Sequence, residues 1–267
     1  MLTKCRPAWS APSNVITATV AAGMLVFGHH AMAQQVLRVG TADGGNPFAR
    51  YDEAARRGTG AGAEIMEAIA EGAGLAIEWV PLSGPGGSNP VAAAIAAGEI
   101  DLFVYPFQMT EARKAQFDFT DPIYNYGETL AIRGDDQREY RSAADLSGRS
   151  VAAVAGSNFV DIANGVGADT RVVDSLDAGL AGVSDGTIDT VMATAPTIIY
   201  LIGEGNYADL IIAPNYSSVA PLPGGFPVEK ENPELLAKLN EGITRLMADG
   251  TVQEISDRWG VGTIVAE

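Results

Sequence analysis

The sequence contains very little cysteine, histidine and positive charge. One Cys and two His occur in 267 residues, and Cys5, His29 and His30 all precede residue 34. Beyond that point the chain has no thiol and no imidazole, which excludes disulfides, Cys or His catalysis and Cys/His zinc sites. We therefore expect no metal and no cofactor.

Positive charge is also scarce. Lys and Arg total 17 against 33 Asp and Glu, which is a formal net charge of −16. Binding to nucleic acid needs clustered basic residues that neutralise phosphates. We therefore expect neither a nucleic-acid partner nor attachment to an anionic membrane surface.

The first 33 residues have the order of features that an export signal has. Lys4 and Arg6 come first, the apolar run Val15–Gly28 follows, and Ala31–Ala33 forms a small-x-small cleavage pattern. The apolar run is too short to cross a bilayer. We predict a signal peptide, residues 1–33, that is cleaved after Ala33, and a mature protein in the periplasm.

Short β-rich runs alternate with helical runs twice along the remaining chain. The first unit begins at Val36–Thr41 and contains a helical pattern over Ala63–Gly72, with Ile65 and Ile69 four residues apart. The pattern starts again at Ser150–Ala155. Strands that alternate with helices predict an α/β fold with mostly parallel sheets.

The C-terminal segment has strong helix-end signals. Asn232 is a good N-cap and Pro233 suits the first helical position, so a helix is predicted from there to Gly250. Thr251 and Glu254 then predict a capping box for a second helix.

Three stretches, in order along the chain, resemble signatures of one protein family. They are Ile100–Leu102 with Met109–Arg113 and Phe117–Pro122; Leu146–Val151 with Gly156–Ser157; and Asn232–Leu235 with Ala248–Thr251 and Trp259–Gly260. The family is the type 2 periplasmic solute-binding proteins, specifically the family 3 group that serves polar amino-acid ABC transporters. The resemblance covers nearly all of residues 36–262.

This resemblance implies a fold of two α/β lobes with central sheets flanked by helices, joined by a hinge of two crossings. Lobe 1 would comprise residues 36–124 and 222–267, and lobe 2 residues 128–218. The crossings would lie near Ile123–Gly127 and Ser218–Pro223. Closure of the lobes would trap a small solute for the permease of an ABC importer. We expect a monomer without enzymatic activity.

Arg113 is the first candidate ligand-binding residue. Only Arg113 and Lys114 are basic between Arg57 and Arg133. A guanidinium can hold a carboxylate with two parallel hydrogen bonds, and the resemblance implies this role for Arg113. The alternative is a surface arginine near acidic side chains.

Ser157 follows Gly156 at a predicted turn from strand to helix. A helix N-terminus with a hydroxyl suits an anion, and the resemblance implies a second carboxylate contact here. An ordinary N-cap is the alternative reading, and both can hold together.

Other positions depart from the family pattern for amino acids. Thr194 stands where an acid would bind the ammonium of the solute, and Gln108 stands where Thr or Ser is usual. An α-amino acid remains possible if Asp43 or Glu128 compensates, and so does a carboxylate without a firmly held primary ammonium. Three aromatic side chains are candidates for apolar or cation–π walls: Phe48, Phe107 and Tyr105.

Two alternatives stay open. One is an enzyme on the same fold, resembling periplasmic cyclohexadienyl dehydratase, with Asp43, Glu128 or Asp161 as acid or base. The other is a sensor or accessory protein that binds a solute without serving a transporter.

Overall fold

The computed structural model describes residues 35–42, 47–82, 88–204, 206–219 and 222–261. The predicted signal peptide, its cleavage position after Ala33 and the candidate Asp43 lie outside these residues. Within the described ranges, no helix combines the length and apolar character needed to cross a membrane.

Within the same ranges the chain alternates between short strands and helices. The strands are β1 (Val36–Ala42), β2 (Arg50–Asp52), β3 (Arg57–Thr59), β4 (Ala76–Leu82), β5 (Leu102–Phe103), β6 (Phe107–Gln108), β7 (Asp118–Phe119), β8 (Tyr124–Tyr126), β9 (Glu128–Arg133), β10 (Ser150–Val154), β11 (Asp169–Val173), β12 (Thr190–Thr194), β13 (Leu210–Ile212), β14 (Leu222–Gly225) and β15 (Pro227–Val228). The helices are α1 (Ala61–Ala73), α2 (Ser88–Ala96), α3 (Glu111–Lys114), α4 (Asn158–Gly165), α5 (Leu176–Ser184), α6 (Ala195–Gly203), α7 (Pro233–Ala248) and α8 (Thr251–Trp259), with a 3₁₀ turn over Ala143–Leu146.

The first lobe is built on a sheet with the strand order β4-β1-β5-β15-β7. Strand β1 is parallel to β4 and β5, whereas β15 is antiparallel to both of its neighbours. Helices α1, α7 and α8 pack together and share a core with this sheet. Gly242 of α7 lies against Ile69 of α1, where a Cβ would be 2.7 Å from the isoleucine side chain, so the glycine allows the close approach.

The second lobe is built on a sheet with the strand order β11-β10-β12-β9-β13. Strand β10 is parallel to β11 and β12, whereas β9 is antiparallel to β12 and β13. Its apolar core is separate from that of the first lobe. Ser175 caps α5, since its hydroxyl accepts from the Ala178 N–H.

A small third sheet, β6-β14-β8, joins the lobes. Strand β8 leads from the first lobe to β9 of the second, and β14 belongs to the returning chain. The two crossings are hydrogen-bonded to each other, with Tyr124 opposite Gly224 and Tyr126 opposite Leu222. The predicted α/β architecture of two lobes and two crossings is therefore confirmed, although both large sheets are mixed rather than mostly parallel.

Several predicted element ends were wrong. Gly72 is inside α1, and the left-handed cap is Gly74, at φ 65°. Thr251 is the first residue of α8 rather than its N-cap, because Gly250 takes the cap position with φ 83° and no side-chain capping bond forms there.

Candidate ligand-binding site

Arg113 is buried at the edge of the first lobe, with 8% of its surface exposed. The short helix α3 holds it, since Thr110 is the N-cap and its hydroxyl accepts from the Arg113 N–H. The guanidinium donates from Nη1 to the Gln108 carbonyl at 3.1 Å. Its Cζ atom lies 4.7 Å from the centroid of the Phe107 ring, a cation–π contact.

No acid neutralises Arg113 within the described part of the chain, where the one hydrogen bond of its guanidinium is that to the Gln108 carbonyl. Burial lowers the pKa of the guanidinium, and the ionisable neighbours that oppose this effect are phenols, Tyr126 and Tyr105, rather than carboxylates. The neighbouring Lys114 differs, because it is exposed and paired with Glu111 at 2.9 Å. A buried cation without an acidic partner is costly to hold, which makes Arg113 the candidate group for binding an anion.

Gln108 connects the two lobes and the hinge. It is 3% exposed, and its Oε1 atom accepts from Nδ2 of Asn158, in the second lobe, at 3.0 Å. Its Nε2 atom donates to the Tyr126 carbonyl of β8 at 2.8 Å. The Gln108 side chain therefore has both of its ends engaged by protein groups.

Ser157 is the residue before α4, but its hydroxyl does not cap the helix. The Oγ atom instead donates to the Val154 carbonyl at 2.7 Å. The N–H groups of Asn158 and Phe159, at the start of α4, have no acceptor within the helix itself, as in any first helical turn. Asn158 donates to the side chain of Gln108, and the backbone carbonyl of Gln108 accepts from Arg113. The N-terminus of α4 therefore lies close to the residue that binds the Arg113 guanidinium.

Thr194 takes part in a cluster of three hydroxyl groups that spans the two lobes. Its Oγ1 is 2.8 Å from Oγ1 of Thr197, one turn later in α6. The hydroxyl of Tyr105, in the first lobe, lies 3.1 Å from the Thr197 hydroxyl and 3.4 Å from that of Thr194. We call Tyr105, Thr194 and Thr197 the hydroxyl cluster.

The two candidate phenylalanines lie in different surroundings. Phe107 lies between Arg113 and Tyr105, because its ring contacts the Arg113 guanidinium and also the Tyr105 ring, whose centroid is 5.8 Å away. Phe48 is fully buried in the core of the first lobe, with ring centroids 5.1 Å from Tyr124 and 5.2 Å from Tyr105. Phe48 therefore packs against Tyr105 within the core of the first lobe.

Glu128 and Asp161 were the other acidic candidates. Glu128 is buried, and its oxygens accept from the Tyr216 hydroxyl at 3.0 Å, the Ser218 hydroxyl at 2.6 Å and the Val219 N–H at 2.6 Å. These donors belong to the chain that returns towards the hinge. Asp161 is exposed on α4, so the two carboxylates have unlike surroundings.

A cavity of about 250 Å³ lies beside the hinge. Its lining residues are Asn125, Tyr126, Gly127, Ala195, Pro196, Ile199, Gly260 and Val261. None of the predicted site residues lines it, and it has few polar groups to orient a solute. The candidate residue Arg113 and the hydroxyl cluster therefore lie outside the lining of this cavity.

Sequence reasoning missed part of this arrangement. Tyr105 was expected as a wall, and its hydrogen-bonding hydroxyl was not foreseen. Thr197 was not foreseen, although its spacing of three from Thr194 places both on one side of a helical turn. Asn158 was not foreseen as a contact between the lobes, because nothing local indicates its hydrogen bond to Gln108, 50 positions earlier.

Comparison with known families and relatives gives a consistent result. The sequence profile described as "Bacterial extracellular solute-binding proteins, family 3" matches residues 37–262. The chain is 28% identical over 235 residues to "Probable amino-acid-binding protein YxeM" of Bacillus subtilis (strain 168), covering 84% of this chain and 83% of the relative. It is 26% identical to "Probable amino-acid ABC transporter-binding protein" of Haemophilus influenzae, covering 84% of each.

Solved structures show the same architecture. The GluR0 ligand-binding core in complex with L-glutamate superposes with a TM-score of 0.76 at 28% identity, covering 86% of this chain and all of that one. The ancestral amino-acid-binding protein AncCDT-1, described as a precursor of cyclohexadienyl dehydratase, has a TM-score of 0.72 and 24% identity, with coverage of 84% and 94%. The second likeness shows the fold alone.

Proposed function

Because the chain belongs to the bacterial extracellular solute-binding proteins, family 3, we propose that it captures a small carboxylate-bearing solute between its two lobes. The solute is an amino acid or an amino-acid-like compound, and the protein delivers it to the permease of an ABC importer. A relative named as an amino-acid ABC transporter-binding protein supports the transport role.

Arg113 is the observation that carries this proposal. It is a buried guanidinium with a single hydrogen bond and no ion pair within the described residues. A carboxylate would accept from its remaining N–H groups in the planar geometry that guanidinium favours. The first N–H groups of α4, including that of Asn158, supply further donors and a favourable helix dipole.

Contacts between the lobes support capture by closure. Gln108 meets Asn158, and Tyr105 meets Thr194, so residues of both lobes surround the region next to Arg113. A solute bound there would contact both lobes and shift the protein towards the closed arrangement.

The test is calorimetric titration of the purified protein, residues 34–267, with amino acids, betaines and small carboxylates, followed by small-angle scattering with the best-binding compound. We expect one carboxylate to bind at micromolar concentration or below and to make the protein more compact. Preferential binding of solutes that carry an ammonium but no carboxylate would contradict the proposal.

We also propose that binding occurs without turnover. The curated relatives are named as binding proteins, and the Glu128 carboxylate is fully engaged by three donors rather than aimed at a solute. Proton NMR of the bound solute during long incubation with the protein tests this point. Recovery of the unchanged solute is expected, and appearance of a product would indicate an enzyme instead.

The proposed location is the periplasm, after removal of residues 1–33. Expression of the full chain in a Gram-negative host, with mass measurement of the periplasmic form, tests both cleavage after Ala33 and export. Stimulation of the ATPase activity of a co-reconstituted permease by the solute-loaded protein distinguishes an importer subunit from a sensor. We expect the protein to be monomeric in such an assay.

A further inference from the structure

We propose that the hydroxyl cluster of Tyr105, Thr194 and Thr197 selects a carboxylate solute whose neighbouring polar group is uncharged, such as a 2-hydroxy acid, over the corresponding α-amino acid. This inference rests on the proposed function, since it assumes that Arg113 holds the carboxylate. It assigns the substrate class of the same site.

The charge balance of the site is the first argument. Arg113 contributes one positive charge, with no ion pair inside the described residues, and a solute carboxylate neutralises it. The ammonium of an amino acid would bring a second positive charge into the same buried region, where the hydroxyl cluster offers no negative charge. A buried charge without a partner is strongly unfavourable.

The chemistry of the hydroxyl cluster is the second argument. Each hydroxyl can donate and accept, and the three groups already form a connected network with distances of 2.8, 3.1 and 3.4 Å. A solute hydroxyl can join this network in either sense, whereas an ammonium can only donate. Thr194 and Thr197 are 6% and 7% exposed, so water cannot readily solvate an ammonium there.

The position of Thr194 is the third argument. It is the N-cap of α6, and its hydroxyl makes no capping bond. The positive end of a helix dipole opposes a cation and favours a neutral or negative group. The backbone and the side chains therefore favour the same kind of solute.

Glu128 is a carboxylate close to Thr194, so it has to be considered as an acceptor for the ammonium of a solute. It lies opposite Thr194 in the pairing of β9 with β12, so the two side chains share a face of the sheet. Its oxygens, however, accept three hydrogen bonds from Tyr216, Ser218 and Val219. Its negative charge is thus directed to the returning chain, and we expect it not to receive an ammonium.

The experiment is calorimetry with pairs of compounds, each primary amino acid being matched with the 2-hydroxy acid of the same carbon skeleton. For the best-binding skeleton we expect the parent protein to bind the hydroxy acid about tenfold more tightly or better, the size expected for one charge-dependent interaction. Thr194→Asp should reverse this preference by about tenfold, because the new carboxylate accepts from the ammonium. Asp is a favoured N-cap, so the variant is expected to fold.

Two further variants make the result specific. Thr194→Ser should keep the preference of the parent, whereas Thr194→Val should weaken the hydroxy acid without improving the amino acid. An equal loss for both members of a pair would mean that the cluster only holds the lobes together, and would overturn the inference.

A parent protein that prefers the amino acid would also overturn it, and loss of that preference in Glu128→Gln would identify the true acceptor. In that case the carboxylate function would stand. Failure of every carboxylate to bind would instead refute the proposed function together with this inference.

Discussion

Replacement of Arg113 by Met removes the guanidinium while keeping an unbranched side chain of similar reach. If the guanidinium holds a solute carboxylate by two charged hydrogen bonds, the loss is about 3–6 kcal/mol at about 1.5–3 kcal/mol each. The dissociation constant should then rise by about 10²- to 10⁴-fold.

The same substitution should have little effect on the protein without solute. The Gln108 carbonyl loses its donor at 3.1 Å, and leaving such a group unpaired costs about 1–3 kcal/mol. Relief from holding a buried cation without an acidic partner acts in the opposite direction. We expect the free energy of unfolding in urea to change by less than about 2 kcal/mol, the scale of one such hydrogen bond.

Lys114→Met is the matched control. This residue is next in the chain, but its ammonium is exposed and paired with Glu111, so both affinity and stability should stay near those of the parent. Calorimetry with the best-binding carboxylate and urea unfolding are carried out on all three proteins. Unchanged affinity in Arg113→Met would refute the reasoning, and a loss of stability comparable to the loss of binding energy would assign Arg113 a structural role.

Three other changes are expected to have measurable effects. Glu128→Gln places an amide among hydrogen-bond donors, so the free energy of unfolding in urea should fall by about 1–3 kcal/mol. Backbone hydrogen exchange over residues 216–219 should accelerate. An unchanged exchange rate would argue against the contact between Glu128 and this segment. In Asp189, burial acts to raise the carboxyl pKa, but hydrogen bonds from Arg138 and Ser150 outweigh it and lower the value below 3.8. The stability that this carboxylate contributes is therefore lost as the pH falls below about 4, and Asp189→Asn should show a shallower acid dependence of the free energy of unfolding than the parent does. Asn158→Ala removes the hydrogen bond to Gln108 and should weaken solute binding by up to about tenfold. Small-angle scattering measures the compactness of the solute-bound protein. An affinity equal to that of the parent would mean that this contact does not contribute to closure of the lobes.

Local signals in the sequence were sufficient for much of the fold. The spacing of Ile65 and Ile69 predicted α1, and Asn232 with Pro233 predicted the start of α7, where the Asn232 side chain accepts from the Leu235 N–H. Errors occurred at helix ends, because which of two nearby glycines adopts a left-handed conformation depends on packing beyond the local sequence. Gly72 and Gly74 illustrate this, since only Gly74 has positive φ.

The sequence predicts those properties of the candidate site that depend on which residue types the chain contains. The scarcity of Cys and His and the negative charge excluded whole classes of site, and Arg113 was singled out as one of few basic residues in its region. The sequence alone determined these points because they depend on which groups exist in the chain.

Only the tertiary structure decided which groups meet. Tyr105 and Thr197 are 92 positions apart, yet their hydroxyls lie 3.1 Å from each other because the two lobes come together beside the hinge. Likewise, Glu128 accepts a hydrogen bond from the Ser218 hydroxyl of the returning chain, 90 positions later. Partners so distant in sequence are brought together by the packing of sheets and crossings, which no local pattern records.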